Sequence, residues 1–187
     1  MKDSLSIAIG RILSDIRVGL SDEFDKNFER QGFFSEAWQR RKSPLRGDGH
    51  LLVSSGDLRR SIQSKVDDHS ITFYSSSVYA GIHNEGGTIR VTSRMKRYFW
   101  HKYMNAAGAL VWCRRKNGTL RKDKNTRHIN DVASFWKGMA LMKEGKVIKI
   151  PKRQFIGYSP EVERLVCDII ESNLSDYFNS IDIIKSE

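Results

Sequence analysis

Apolar residues recur at spacings of three and four over residues 3 to 31: Leu5, Ile9, Ile12, Leu13, Ile16, Leu20, Phe24 and Phe28. Arg11, Asp15, Asp22, Lys26 and Arg30 fall between them. That period puts the apolar set on one side of a helix and predicts a long amphipathic element. Gly10 and Gly19 weaken it, because glycine loses the most backbone entropy on becoming helical. Gly32 is placed to end it in a left-handed conformation. The polar stretch with Arg40, Arg41, Lys42, Pro44, Gly47 and Gly49 then reads as an exposed loop, with Trp38 anchoring it to the core.

The period next shortens to two. Leu51, Leu52 and Val53 lead into Ser55-Gly56-Asp57, where Asp57 is placed to cap the segment Leu58 to Ile62. Ile62, Ser64 and Val66 alternate before Asp67-Asp68, and Ile71, Phe73 and Ser75 after it, which predicts a hairpin. Val78 to Glu85 fits neither period, and Gly86-Gly87 interrupts the chain before a short strand at Thr88 to Thr92. Met95, Tyr98, Phe99 and Tyr103 form a new helical stripe. Leu110–Arg115 and Thr119–Lys122 flank Asn117-Gly118, a dipeptide suited to a tight hairpin. Asn130 or Asp131 is placed to cap a second helix, with the stripe Val132, Phe135, Trp136, Met139 and Ala140 and a stop at Gly145.

The final element has the fullest set of signals. Ser159, Pro160 and Glu161 supply a cap, a first-turn proline and a first-turn acid. Val162, Leu165, Val166, Ile169, Ile170, Leu174, Tyr177, Phe178 and Ile181 then keep helical spacing for about five turns. Together these elements predict an α+β fold: a small antiparallel sheet packed by the long N- and C-terminal helices, with a helix-hairpin-helix insertion. We expect one domain over residues 1 to 187, with the insertion at 93 to 146.

Composition narrows the class. At 187 residues with 39% hydrophobic content, the chain buries enough surface to fold without disulfides. No apolar run reaches the roughly 18 residues of a membrane span. The start, Met1 to Leu5, lacks the apolar core of a secretion signal. Cys113 and Cys167 match no paired spacing and suit a reducing compartment.

Charge changes the picture more. The net charge of +10 divides unevenly: residues 86 to 155 hold 18 Lys and Arg against three acids, a balance of +15, and the remainder is −5. A basic module in a mildly acidic frame attracts an acidic partner, although a solvated face explains charge equally well. Aromatics are mixed with these cations in Arg97-Tyr98-Phe99-Trp100-His101-Lys102 and Trp112-Cys113-Arg114-Arg115-Lys116. Rings and cations together suit a single-stranded nucleic acid, while a helix that docks on a frame needs aromatics too. Trp100 discriminates, since it falls off the expected buried stripe. The candidate partner contacts are Arg94, Lys96, Arg97, Trp100, Lys102, Arg114, Arg115, Lys116, Arg121 and Lys122.

Catalytic chemistry finds little support. His50, His69, His83, His101 and His128 stand singly, and His83-Asn84-Glu85 lacks the second histidine that a zinc site needs. The serines at 54–55 and 75–77 lack a nucleophile elbow, and Gly47-Asp48-Gly49 lacks the Gly-Lys-Ser/Thr of a phosphate loop. Cys113 lies beside Arg114 and Arg115, yet lone thiols are more often inert. We expect no catalytic set, no metal and no cofactor.

Four runs carry a resemblance. They are Leu51-Leu52 followed by Ser55-Gly56-Asp57-Leu58-Arg59-Arg60-Ser61-Ile62; Tyr79-Ala80-Gly81-Ile82-His83-Asn84-Glu85-Gly86-Gly87; Ile150-Pro151-Lys152-Arg153-Gln154-Phe155-Ile156-Gly157; and Trp38 with Arg41. In this order the chain resembles the phage virion morphogenesis family over residues 38 to 92 and 147 to 178. Residues 93 to 146 exceed the family's pattern. The resemblance implies a structural protein of contractile-tailed phages and prophages, without catalytic residues, that completes tails and joins them to heads. It implies a fold like tail-completion and tail-terminator proteins, a ring or collar at the head-proximal end of the tail, and residence in the virion after assembly in the host cytoplasm. The implied partners are further copies of itself and other tail or neck proteins, with DNA nearby and no membrane.

The residues matching the family motif are Gly56, Leu58, Ser61, Ile62, Tyr79, Ala80, His83, Gly86, Pro151, Arg153 and Phe155. Gly56 and Gly86 permit turns that side chains block, Tyr79, Ile82 and Phe155 suit packing, and Pro151 fixes the strand's entry into the last turn. Local hydrogen bonds are the plainer role for His83 and Arg153; contact with a neighbouring subunit is the other. In a ring, the frame of one copy and the insertion of the next can meet head to tail, a contact that salt weakens. A nucleic-acid-binding module using the aromatic and basic insertion is the alternative, and a hydrolase using His83 and Glu85 comes third.

Overall fold

The computed structural model describes residues 2–41, 43–45, 49–67 and 69–185, leaving out the side chains of 2–4 and 180–185. Lys42, Gly47 and Asp48 of the expected loop, Asp68 of the expected hairpin turn and the Ile181 side chain lie outside the described residues. The elements run α1 (Lys2–Arg30), β1 (Gly32–Phe33), β2 (Glu36–Ala37), α2 (Asp57–Arg60), β3 (Ile62–Asp67), β4 (Ser70–Ser75), α3 (Ala80–Asn84), β5 (Gly87–Arg90), α4 (Ser93–Val111), α5 (Lys124–Ala140), β6 (Val147–Ile150) and α6 (Pro160–Lys185). The fold is α+β. Its strands form three separate two-stranded antiparallel ribbons, not the one sheet expected. Each ribbon is short, and α1 packs against β1, β3 and β4 where further strands would otherwise lie.

Two compact units divide the chain. The first comprises Met1–Gln39, His50–Glu85 and Lys152–Glu187; the second comprises Arg40–Gly49 and Gly86–Pro151.

In the first unit, α1 runs unbroken through both glycines. Gly19 lies where a Cβ would sit 3.0 Å from Ile169 Cδ1 of α6, a tight contact that the end of the Ile169 side chain would have to yield to. Ile16, Leu20 and Phe24 of α1 pack with Phe33, with Ile71 and Phe73 of β4, and with Val162, Leu165, Val166, Ile169 and Ile170 of α6. Phe24 meets Phe73 edge-on at 5.0 Å. The helix ends differently from expectation: Gln31, not Gly32, takes the left-handed conformation, at φ 58°. Its side chain makes that tolerable by donating to Phe28 O and Leu51 O (3.3 Å) and accepting the Leu51 N–H. Gly32 is needed for a different reason, since a Cβ there would meet Glu36 O at 2.6 Å across the β1–β2 ribbon.

The β3–β4 hairpin pairs in full register from Ile62↔Ser75 to Asp67↔Ser70. Asp57 does not cap α2. Gly56 holds the cap position at φ 77°, and Asp57 is instead bonded by Arg60 Nη2 at 2.8 Å. The segment that fitted neither period contains α3. At the start of α6, Ser159 Oγ accepts the Val162 N–H at 3.3 Å, ahead of Pro160 and Glu161 as its signals implied.

In the second unit, β5 and β6 pair antiparallel from Gly87↔Ile150 to Arg90↔Val147. α4 extends to Val111, so Leu110 and Val111 are helical and not part of a strand. Asn105 to Ala109 contains three alanines, which favour continuing the helix. The turn at Asn117-Gly118 forms with one bridge, Arg114↔Leu120, and Gly118 at φ 80°. α5 begins six residues before the first expected cap, because Asp123 accepts the Thr126 N–H (2.8 Å) and hydroxyl (2.9 Å). It ends at Ala140; Gly145, at φ 80°, instead shapes the turn into β6 and donates to Val91 O at 2.8 Å. Phe99 of α4 stacks on Trp136 of α5 at 5.8 Å, and Ala133 and Ala140 are buried.

Candidate interaction surfaces

Three distant runs meet in the first unit. Phe28, Trp38, Leu51, Leu58, Ala80 and Phe155 form one buried cluster, against which Ile62 and Ile156 pack. Phe155 lies 5.4 Å from Phe28, and Trp38 is edge-on to Phe28 at 5.6 Å. Trp38 anchors the chain as expected, donating from Nε1 to Gln154 O at 2.6 Å.

Two asparagines join the runs through the backbone. Asn84 Oδ1 accepts the N–H groups of Phe155 (2.9 Å) and Ile156 (3.2 Å). Asn27, fully buried, donates to Phe155 O at 3.3 Å and accepts the Phe34 N–H at 3.0 Å. The extended run 152–156 carries backbone groups that no strand satisfies, so side-chain amides take the place of a ladder. Arg153 belongs to the same knot: its N–H donates to His83 O at 2.7 Å, and its Nε donates to Gln39 O at 3.1 Å.

His83 therefore takes part through its backbone carbonyl. Its buried ring Nδ1 has no hydrogen-bond partner among the described residues. Burial first, and then the Arg153 charge, lower its pKa from the usual 6.5. Glu85 is exposed, and no group of three His, Cys, Asp or Glu side chains among the described residues could hold a metal. Ser61 Oγ donates to Leu58 O (2.7 Å) and pairs with Ser75 Oγ at 2.6 Å, fixing α2 to the hairpin. Tyr79 is 44% exposed, and its ring meets the His83 ring edge-on at 6.1 Å.

Gly86, at φ 77°, and Pro151 stand at the two ends of the second unit's longer segment. Every expected partner contact also lies in this unit. Arg94, Arg97, Trp100, Arg114, Arg115, Lys116, Arg121 and Lys122 are exposed, and Lys96 and Lys102 are half-buried. Lys102 Nζ lies 5.4 Å from the Tyr98 ring centre. Trp100 is 46% exposed and Trp112 is 85% exposed.

Charge is handled differently in the two units. The second holds 20 Lys and Arg against four acids (+16), the first 12 against 18 (−6). Among the described residues, ion pairs join Lys26 to Asp22 and Glu23, Arg30 to Glu23, Arg59 to Asp25 and Glu29, Arg60 to Asp57, and Lys65 to Asp67, all in the first unit. Arg59 grips Asp25 with two donors and holds its carboxyl below the usual range. The second unit has no ion pair among the described residues. Its Asp123 and Glu144 carboxyls are bound by Thr126 and Ser93, and those hydrogen bonds lower both pKa values.

Sequence reading missed Asn27, Gln31, Asn84 and Gln154. Asn27 had a visible signal, because a polar residue three positions after Phe24 falls on the apolar side of α1. Asn84 had none, since its partners lie more than 70 residues away.

The family model described as phage virion morphogenesis family matches residues 10–175. Neither the curated proteins nor the solved structures give a match.

Proposed function

The chain belongs to the phage virion morphogenesis family, and on that premise we propose that it is a non-enzymatic subunit that completes the phage tail and joins it to the head. It works as a ring or collar at the head-proximal end of the tail, assembled in the host cytoplasm and carried in the virion of a phage or prophage. Its partners are further copies of itself and neighbouring tail or neck proteins. Residues 93 to 146 are a basic insertion within a single family domain of residues 1 to 187. No helix among the described residues is long and apolar enough to cross a membrane.

One observation carries the reading. Residues from the motif runs at 51–62, 79–87 and 150–157, namely Leu51, Leu58, Ala80, Asn84 and Phe155, converge on a buried knot of hydrophobic side chains and amide hydrogen bonds, which suits a scaffold better than a reaction site. A ring contact draws on the first unit's balance of −6, which internal ion pairs leave unchanged because each joins one charge of either sign. Six carboxylates of the first unit, Asp22, Glu23, Asp25, Glu29, Asp57 and Asp67, already have partners within it.

Electron microscopy of lysates from a phage or inducible prophage lacking this chain tests the role. Unjoined heads and incomplete tails are expected, with joining restored by the intact chain. Normal virions without it would contradict the reading. Sedimentation of the purified chain tests the ring, and a monomer at all salt and protein concentrations would count against it.

A further inference from the structure

The loop joining α4 to α5 carries Arg114, Arg115, Lys116, Arg121 and Lys122, with no acidic residue between 112 and 122. All five are exposed. The loop has a defined shape: Gly118 N–H donates to Arg115 O (2.9 Å), Arg115 N–H to Thr119 O (2.7 Å) and Arg121 N–H to Cys113 O (2.9 Å). Arg114 Nη1 holds Gly118 O at 2.8 Å, and Asn117 Oδ1 takes both the N–H and hydroxyl of Thr119. The next carboxylate, Asp123, is committed to Thr126. Beside this ordered positive loop stands Trp112, the most exposed indole of the chain's described tryptophans named above, at 85%.

Among the described residues, none of the loop's five cations has an ion-pair partner. Of the 18 acidic residues in the first unit, six are held in ion pairs among the described residues, so a second copy is the competing source of negative charge. A phosphodiester backbone offers a charge about every 3.4 Å along a strand, and an exposed ring adds a stacking platform for a base. We propose that residues 112–122 form a nucleic-acid contact, in which the loop cations neutralise phosphates and Trp112 stacks on an unpaired base. The contact goes beyond the assembly role and stands on the second unit alone.

Fluorescence anisotropy of a labelled mixed-sequence DNA, as single strand and as duplex, tests it across a salt series with the full chain. The intact chain is expected to prefer the single strand, with the slope of log affinity against log salt near −0.7 per phosphate contacted. Replacing Arg115, Lys116, Arg121 and Lys122 together by alanine is expected to make that slope shallower by about 2–3 and binding roughly tenfold weaker or more. Trp112→Ala is expected to weaken single-strand binding by about 5- to 150-fold with the slope unchanged.

Lys116→Ala with Lys122→Ala removes two exposed charges without touching the loop's hydrogen bonds, and a slope shallower by about 1 is expected even if the larger variant misfolds. Absence of single-strand binding at low salt, equal binding by the variants, or duplex preference indifferent to Trp112→Ala would overturn the proposal. So would competition by polyglutamate as effective as by DNA, which would point to an acidic protein surface. None of these outcomes bears on tail joining, which is read separately by microscopy.

Discussion

The two units satisfy themselves in opposite ways. The first closes on its own groups: Phe28 and Phe155 are fully buried, Asn27 and Asn84 bind the backbone of a distant run, and Arg59 bridges Asp25 and Glu29. The second packs α4 on α5, elements close in sequence, with one short ribbon that closes the segment from Gly87 to Ile150, and its cations find no ion pair among the described residues. A unit knitted from distant segments depends on each of them. One whose described cations form no ion pair keeps its charge available to something outside the chain.

That contrast predicts where substitutions hurt. Phe155→Ala should have the largest effect, about 3–5 kcal/mol in urea unfolding, because it opens a cavity where the knot is fully buried. A loss below about 1 kcal/mol would mean the cluster is not the centre of the first unit. Asn84→Ala strands two amide donors and should cost about 1–3 kcal/mol in the same measurement. In the second unit, Asp123→Ala removes only the cap of α5 and should cost about 1 kcal/mol, read as lost helical circular dichroism on melting.

Smaller effects sharpen the comparison. Burial and the Arg153 charge disfavour protonated His83 in the fold, so the unfolded chain binds that proton more readily. Its contribution is complete above the unfolded value near 6.5 and is lost as pH falls toward the lower folded value. Melting temperature should therefore drop below that pH in the intact chain and drop less in His83→Gln; identical pH profiles would remove the effect. Lys116→Ala with Lys122→Ala should change stability by no more than about 0.5 kcal/mol, since both side chains are exposed.

Periodic elements were legible. The stripes of α1 and α6, the hairpin around Asp67 and the Ser159-Pro160 start all follow from spacings within one element. Ends were harder, because competing caps stand close together: Asp123 wins over Asn130 and Asp131 through two bonds to Thr126. The left-handed residue at the end of α1 was misplaced because Gln31 is held there by Leu51, twenty positions on. The short runs at 51–62, 79–87 and 150–157 carried the family resemblance, while the amides that join them were hidden by sequence distance.

Hydrogen exchange on the intact chain and on Asn84→Ala tests most directly whether the distant runs form one unit independent of the middle. The N–H groups of Phe34, Leu51, Arg153 and Ile156 should exchange faster together in the variant, by a shared factor, while those of α4 and α5 keep their rates. Acceleration confined to Phe155 and Ile156, or spreading equally through α4 and α5, would contradict the account.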